Sequence, residues 1–340
     1  MIMSAGFGTR VRPLSYDVPK PMFTVANKPV LGWTVELLKK HGITEFVINL
    51  GPHSARIKDY FGDGSGYGVK IIYSEEKELL GTAGAVKKVE KFFNGTFLVM
   101  SGDGLTDVNI TEAVRFHRKK KALATIVLKR VDSRFDYGIT MMSRDMRIKR
   151  FIEKPAWGDV FENRANTGIY IMEPELLGYI PANKFYDFGT QLWIKLLKNK
   201  KKLFGYETKS YWCDIGNLAE YRKAQQDALS GSIKINLPGR KIKDGVWAEE
   251  GAGIEDSAIV DGKCVIGGGS EIGKGVKIEG LNVIGKNVII GAGTRLADCI
   301  LWDGARVGNN ADLKNCILSL NSTLNETNCK LEGAIIIRKG

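Results

Sequence analysis

Histidine is scarce: the 340 residues hold only His41, His53 and His117, and none beyond position 117. Chemistry that needs an imidazole base is thereby excluded from the long C-terminal part of the chain. Cysteine is sparse as well. Cys213, Cys264, Cys299, Cys316 and Cys329 are odd in number and never form a close pair with metal-ligand spacing, which argues against disulfides or zinc and for buried thiols in a reducing compartment. No uninterrupted apolar run in the sequence approaches the roughly 20 residues that span a bilayer. The opening Met1, Ile2, Met3, Ser4 also lacks the charged start and long apolar stretch of an export signal. The expectation is a cytoplasmic chain with no membrane partner.

What is abundant is positive charge, a formal +12 at pH 7. That balance suits an anionic partner, but the sharpest basic clusters, 117–121 and 198–202, each fall at the end of a helix-like stretch. Cations there favour the helix dipole and water, so they read as solvated faces and nucleic acid is not an expected partner.

Up to residue 229 short β-branched runs alternate with helical patterns, the signature of an α/β fold with a Rossmann-like, mostly parallel mixed sheet flanked by helices. Strands are expected at 1–3, 45–50, 69–73, 96–100, 124–131, 139–142, 148–153 and 167–172, with helices at 31–41, 54–61, 82–92, 111–120 and 218–229. Asn217 is placed to cap the last helix, and residues 230–245 read as a linker. From 246 to 340 the rhythm changes. Ile254, Val260, Ile266, Ile272, Ile278, Ile284, Ile290 and Leu296 recur every six residues, slip by one at Leu301, and resume at Val307 and Leu313. Neither helical nor alternating periodicity yields this, whereas the hexapeptide turns of a left-handed parallel β-helix do, each turn burying its aliphatic side chain only against its neighbours.

Directly after the first strand come Ala5, Gly6, Gly8, Thr9, Arg10, Arg12 and Pro13, then Pro19, Lys20 and Pro21. A dinucleotide fingerprint would require glycine where Val11 stands, and a Walker A loop would end in Gly-Lys-Ser or Gly-Lys-Thr. Here Arg10, Arg12 and Lys20 are gathered around exposed amides, which suits the spread charge of a triphosphate. Further motifs follow in order: Gly81, Thr82 and Gly84; Gly102 and Asp103; Glu153, Lys154 and Pro155; Asn166, Thr167, Gly168 and Tyr170; Trp212, Asp214 and Gly216. Over essentially its whole length the chain resembles the sugar-1-phosphate nucleotidyltransferase family, nearest to its bacterial mannose-1-phosphate guanylyltransferase branch. Asp187 and Phe188 contribute to that likeness, whereas Gln191 stands where the family often has Asp. The family also usually has a few residues before the first strand.

The resemblance implies that a nucleoside triphosphate and a sugar 1-phosphate are the substrates. Ala5, Gly6, Gly8, Thr9, Arg10, Lys20, Gly81, Thr82, Gly102 and Asp103 would bind the nucleotide, and Gly138, Glu153, Lys154, Asn166 and Thr167 the sugar phosphate. Asp103 and Asp214, carboxylates from distant segments, would hold Mg²⁺, a hard cation that wants oxygen ligands. Arg10, Lys20, Asp103 and Lys154 would carry catalysis by positioning and charge neutralisation, for an ionised phosphate nucleophile needs no general base. Glu76, five residues ahead of Gly81, is expected to accept from the two neighbouring donors of guanine, favouring GTP with mannose 1-phosphate. Glucose 1-phosphate with UTP, dTTP or ATP is the alternative pair, and a non-catalytic regulatory subunit is a third reading. The last is disfavoured because Arg10, Lys20, Asp103, Lys154 and Asp214 are all present. Hexapeptide β-helices also form acyltransferases, whose usual base is a histidine between coils; none occurs there. The β-helix is therefore expected to serve stability and assembly of a homo-oligomer.

Overall fold

A computed structural model describes residues 1–51, 54–131, 137–155 and 163–338; His53 lies outside them. The chain forms two compact units. The first comprises Met1–Phe7, Pro19–Pro21 and Thr34–Asp214, the second Gly8–Val18, Met22–Trp33 and Ile215–Gly340.

In the first unit a nine-stranded sheet runs in the order Ile148–Ile152, Ile139–Met142, Arg164–Met172, Phe97–Ser101, Ile2–Met3, Glu45–Leu50, Lys70–Glu75, while Ala124–Arg130 joins Arg164–Met172 to Leu203–Glu207. The sheet is mixed as expected, but its pairings divide evenly between parallel and antiparallel rather than being mostly parallel. The cause is Arg164–Met172, which enters antiparallel beside Phe97–Ser101 and has only antiparallel partners. A buried strand shows an apolar run whichever way it points, so direction leaves no trace in composition. Val99, Ile126, Leu128, Tyr170, Met172, Phe188 and Trp193 pack together in one core. The helix Ile110–Lys120 begins on Asn109, whose side chain accepts from Glu112 N, and ends on Lys121 in the left-handed region, φ +46°.

The second unit is rich in short parallel strands stacked in three ladders, represented by Lys277–Ile284 for two faces and Ile289–Ile290 for the third. Val260, Ile266, Ile272, Ile278, Ile284, Ile290 and Leu296 are buried in their common core, and Ile254 is partly so. The register step is 18 residues from Ile266 to Ile284 and 17 from Ile284 to Leu301. The missing residue falls at the corner after Ala297, where Asp298 turns with φ +56°. Within the expected linker, Arg240–Lys243 is a strand, paired antiparallel with Val246–Ala248. The helix Leu218–Ser230, capped by Asn217 as its sequence leads one to expect, packs on this stack together with residues 22–33. Phe23, Tyr221 and Trp302 meet edge to face, and Trp302 Nε1 donates to the Tyr221 hydroxyl at 2.7 Å. Among the described residues no helix is long and apolar enough to cross a membrane.

Candidate functional site

Asp103 follows the C-terminal end of Phe97–Ser101, where chain leaving a buried strand is free to meet a ligand. Two short strands bring Asp214 to it: Gly104–Thr106 pairs antiparallel with Trp212–Asp214, Asp214 lying opposite Gly104. Sequence inspection finds both carboxylates but not this three-residue ladder, whose strands are too short to leave a periodic signal. Between the carboxylates sits Lys20. Its Nζ donates to Asp103 Oδ2 at 2.5 Å and to Asp214 Oδ1 at 3.0 Å. The Lys20 side chain is 9% exposed, those of Asp103 and Asp214 27% and 20%, so the acids still face solvent and the ammonium does not. Burial opposes the charge on Lys20, but the two carboxylates outweigh it and raise its pKa. Burial likewise opposes the charge on Asp103; Lys20, and a hydroxyl donated by Ser101, outweigh it and hold the carboxyl below its ordinary value. Gly102 N donates to Met3 O, tying the two neighbouring parallel strands together just before Asp103. Among the described residues no group of three or more His, Cys, Asp or Glu side chains is placed to hold a metal ion.

A second set of expected residues gathers at a β-bulge. Along Arg164–Met172 the pairing with Ala124–Arg130 shifts between Asn166 and Tyr170, leaving Thr167 and Gly168 out of register. Gly168 has φ +74°, a conformation glycine adopts without penalty, and a β-carbon there would press on Ser101. The bulge turns Asn166 so that its amide donates to the Tyr170 hydroxyl at 2.8 Å and its carbonyl accepts from Gly168 N. Thr167 is buried on Val127 O, and Trp212 Nε1 donates to Thr167 O, joining the bulge to the Asp214 strand. Glu153 is close enough to Gly138 and Gly189 that a β-carbon at either would collide with its carboxylate. Burial, then the charge of Asp187, raise the Glu153 pKa, and Lys154 partly offsets them. Lys154 itself is exposed, with φ +45°.

Asp187 ties this set to the helix Gly81–Lys88. Thr82 Oγ1 donates to Asp187 Oδ2 at 2.7 Å and accepts from Phe188 N, while Ala83 N and Gly84 N donate to Tyr186 O. Asp187 also caps the single π turn Phe188–Leu192, accepting from Gly189 N and Thr190 N. Gln191 Oε1 accepts from Asp187 N, so glutamine here has a definite structural task. Thr82 and Asp187 are far apart in sequence, and neither pattern nor spacing pairs them.

Glu76 directly follows the strand Lys70–Glu75. It is buried, Asn49 Nδ2 donates to its Oε1 at 2.8 Å and Leu80 N to its Oε2 at 3.0 Å, while Asn49 Oδ1 accepts from Ser4 N. Both oxygens thus help fasten the ends of three adjacent parallel strands. Ala5 follows this network, buried, and Gly6 is exposed. In the second unit Gly8 takes φ +61° ahead of the turn Thr9–Val11 and its carbonyl accepts from Ser15 Oγ at 2.8 Å. Arg10 is exposed, and the Arg12 guanidinium lies 5.2 Å from the centre of the Tyr16 ring.

Comparison with known proteins gives these arrangements a context. A nucleotidyl transferase family model matches residues 1–231, and a model described as the GMPPB C-terminal domain matches residues 254–339. The UTP–glucose-1-phosphate uridylyltransferase of Synechocystis sp. is 36% identical over 329 residues, 92% of this chain and 85% of that protein. The mannose-1-phosphate guanylyltransferase of Mycobacterium tuberculosis is 30% identical over 282 residues, 82% of this chain and 78% of that protein. The crystal structure of HddC from Yersinia pseudotuberculosis is similar with a TM-score of 0.58 at 26% identity, covering 67% of this chain and 97% of that one.

Proposed function

Since the chain belongs to the nucleotidyl transferase family, we propose that it joins a nucleoside triphosphate to a sugar 1-phosphate, with GTP and mannose 1-phosphate as the pair. The observation that carries the reaction class is the convergence of Lys20, Asp103 and Asp214 at the end of a buried strand. In the reaction an ionised oxygen of the sugar phosphate attacks the α-phosphorus in line, the bond from that phosphorus to the bridging oxygen of the β-phosphate breaks, and pyrophosphate leaves. Both reactants are polyanions, so the residues act chiefly by neutralising and aligning charge. Lys20 and Arg10 are assigned to the triphosphate, Lys154 to the attacking phosphate, and Glu153 with Asn166 to sugar hydroxyls.

The carboxylate pair also fits a divalent cation, Mg²⁺ in this reading. Its donors are all oxygen, two carboxylates aim at one point, and that point is filled by a cation of the protein's own, Lys20. When bound, the ion would neutralise charge developing on the phosphates. Lys20 must then leave at least one carboxylate, and the phosphates of the nucleotide supply its new partner. In this reading the strand-rich region is a left-handed β-helix, and the protein works in the cytoplasm as a homo-oligomer.

Uridine nucleotide with glucose 1-phosphate is the second reading, supported by the Synechocystis relative and by the structural employment of Glu76. A pyrophosphate-release panel crossing GTP, UTP, dTTP and ATP with mannose, glucose and N-acetylglucosamine 1-phosphates separates the two. The expected result is highest kcat/KM for GTP with mannose 1-phosphate. Release with no pair would overturn the reaction class, and equal or better use of UTP with glucose 1-phosphate would overturn the substrate pair.

A further inference from the structure

The basic runs 117–121 and 198–202 are far apart in sequence, yet the fold lines one concave space with both. The strand Ala124–Arg130 leaves the first and pairs in parallel with Leu203–Glu207, which leaves the second, so the two preceding helices end side by side. Leu123 N donates to Lys202 O where the runs meet. The resulting cavity, about 720 Å³, is lined by Arg118, Lys121, Lys200, Lys201 and Lys202, against which stand only Glu173 and Glu175 among its acidic residues. Glu173 is already engaged, its Oε1 accepting from Thr96 Oγ1 at 2.8 Å and bonded to His117 Nε2 at 2.9 Å.

Lysines at helix ends ordinarily complement the dipole and point into water. That reading covers Lys119 and Lys198, which do not line the cavity. It does not account for five cations sharing one hollow, where each raises the cost of charging the others. Some of the carbonyls at the two helix ends are already engaged. Lys121 N and Ala122 N donate to Arg118 O and His117 O, and Lys200 N and Lys201 N to Leu197 O and Leu196 O. Arg147 Nη2 further donates to Lys200 O at 2.8 Å.

We propose that this cavity binds a small phosphorylated anion, distinct from the substrates of the site around Asp103. Arg118 offers the planar fork that matches phosphate oxygens, with the lysines as point charges around it, and the volume is that of a small-molecule site. The cavity lies at the other end of the sheet from Asp103: Glu173 follows Met172, which pairs with Phe97 at the start of the strand whose far end leads to Asp103. Five strand residues separate the two positions, about 17 Å. Nothing in the proposal requires the assigned nucleotide or sugar, so it stands or falls apart from them.

The test is titration of the full-length protein with inorganic phosphate at constant ionic strength, followed by backbone-amide NMR at residues 118–123 and 199–203. Saturable shifts at both segments are expected. The double variant Arg118→Gln with Lys200→Gln is expected to weaken them about tenfold or more. A control with the same loss of charge, Lys119→Gln with Lys198→Gln, is expected to leave them unchanged, which separates a site from a general field effect. Non-saturating shifts, or equal weakening in both double variants, would overturn the site. All four side chains are exposed, so loss of fold is not expected, and unchanged amide dispersion in each variant checks this.

Discussion

At the scale of single residues, the central feature is that Lys20 occupies the point on which Asp103 and Asp214 converge. An ammonium and a divalent cation compete for the same oxygens, so the protein without nucleotide is expected to bind Mg²⁺ or Mn²⁺ weakly. Lys20→Met is expected to strengthen that binding on the order of tenfold or more, read by calorimetry in the absence of nucleotide, because the carboxylates then face each other uncompensated. In turnover the same variant is expected to lose activity, and Asp103→Asn and Asp214→Asn to lose kcat by on the order of 10² or more. Metal affinity in Lys20→Met equal to that of the wild type would remove the competition, and near-normal turnover in both Asp variants would remove the ion from the site. Lys20, Asp103 and Asp214 were each singled out by motif order. That Lys20 bonds Asp103 and Asp214 across 83 and 194 residues of sequence was not.

At the scale of elements, the helix Ile110–Lys120 is joined to the sheet by a buried histidine. His117 is 1% exposed, its Nδ1 lies 2.9 Å from Thr125 Oγ1 and its Nε2 2.9 Å from Glu173 Oε1. A carboxylate only accepts, so the neutral ring donates from Nε2 and accepts the Thr125 hydroxyl proton at Nδ1. Burial depresses the pKa of His117, and Glu173 only partly offsets it. A base whose folded pKa lies below its unfolded value leaves the unfolded state holding the extra proton, so stability falls as pH drops below the unfolded value of about 6.5. Urea unfolding of the wild type is therefore expected to show lower stability at pH 5.5 than at 7.5, with His117→Gln showing a smaller difference. An equal pH dependence in the variant would exclude His117 as the source. Most elements were visible in the apolar rhythm: 45–50 and 139–142 match the expected bounds, and the others shift by a few residues. The strands Gly104–Thr106 and Trp212–Asp214 and the bulge at 166–170 were not, since three residues are too few for alternation to stand out and a bulge interrupts it.

At the scale of the whole molecule, the compact units do not follow the chain's apparent punctuation. A boundary near 230 is what the linker-like composition suggests, but Met22–Trp33 and the helix Leu218–Ser230 belong with the strand-rich stack. Asn27 Nδ2 donates to Ile284 O at 2.6 Å, Arg222 Nη2 bonds Asn315 O, and Trp302 covers Phe23 and Tyr221, both fully buried. A truncated chain ending at residue 231 is thus expected to aggregate or to unfold at markedly lower urea. Trp302→Ala in the full chain is expected to cost about 3–5 kcal/mol. Sedimentation addresses assembly in the same samples: Ile337 is 38% exposed and Leu331 and Ile336 only partly buried at one end of the stack, so the full chain is expected to run as an oligomer. A monomeric full chain, or a truncated chain as stable and soluble as the whole, would count against these expectations.

The sequence by itself determined the division into an α/β part and a six-residue repeat, because side-chain periodicity follows directly from the backbone repeat that buries it. It also singled out Lys20, Asp103 and Asp214, which stand in recognisable order and which the fold brings together. Tertiary structure alone decided strand direction, the fastening role of Glu76, the seat of Lys20 between two acids, and the meeting of two basic runs in one cavity. These depend on which distant segments become neighbours. A local pattern records that a residue is buried or charged, but not what it is buried against or which charge it faces.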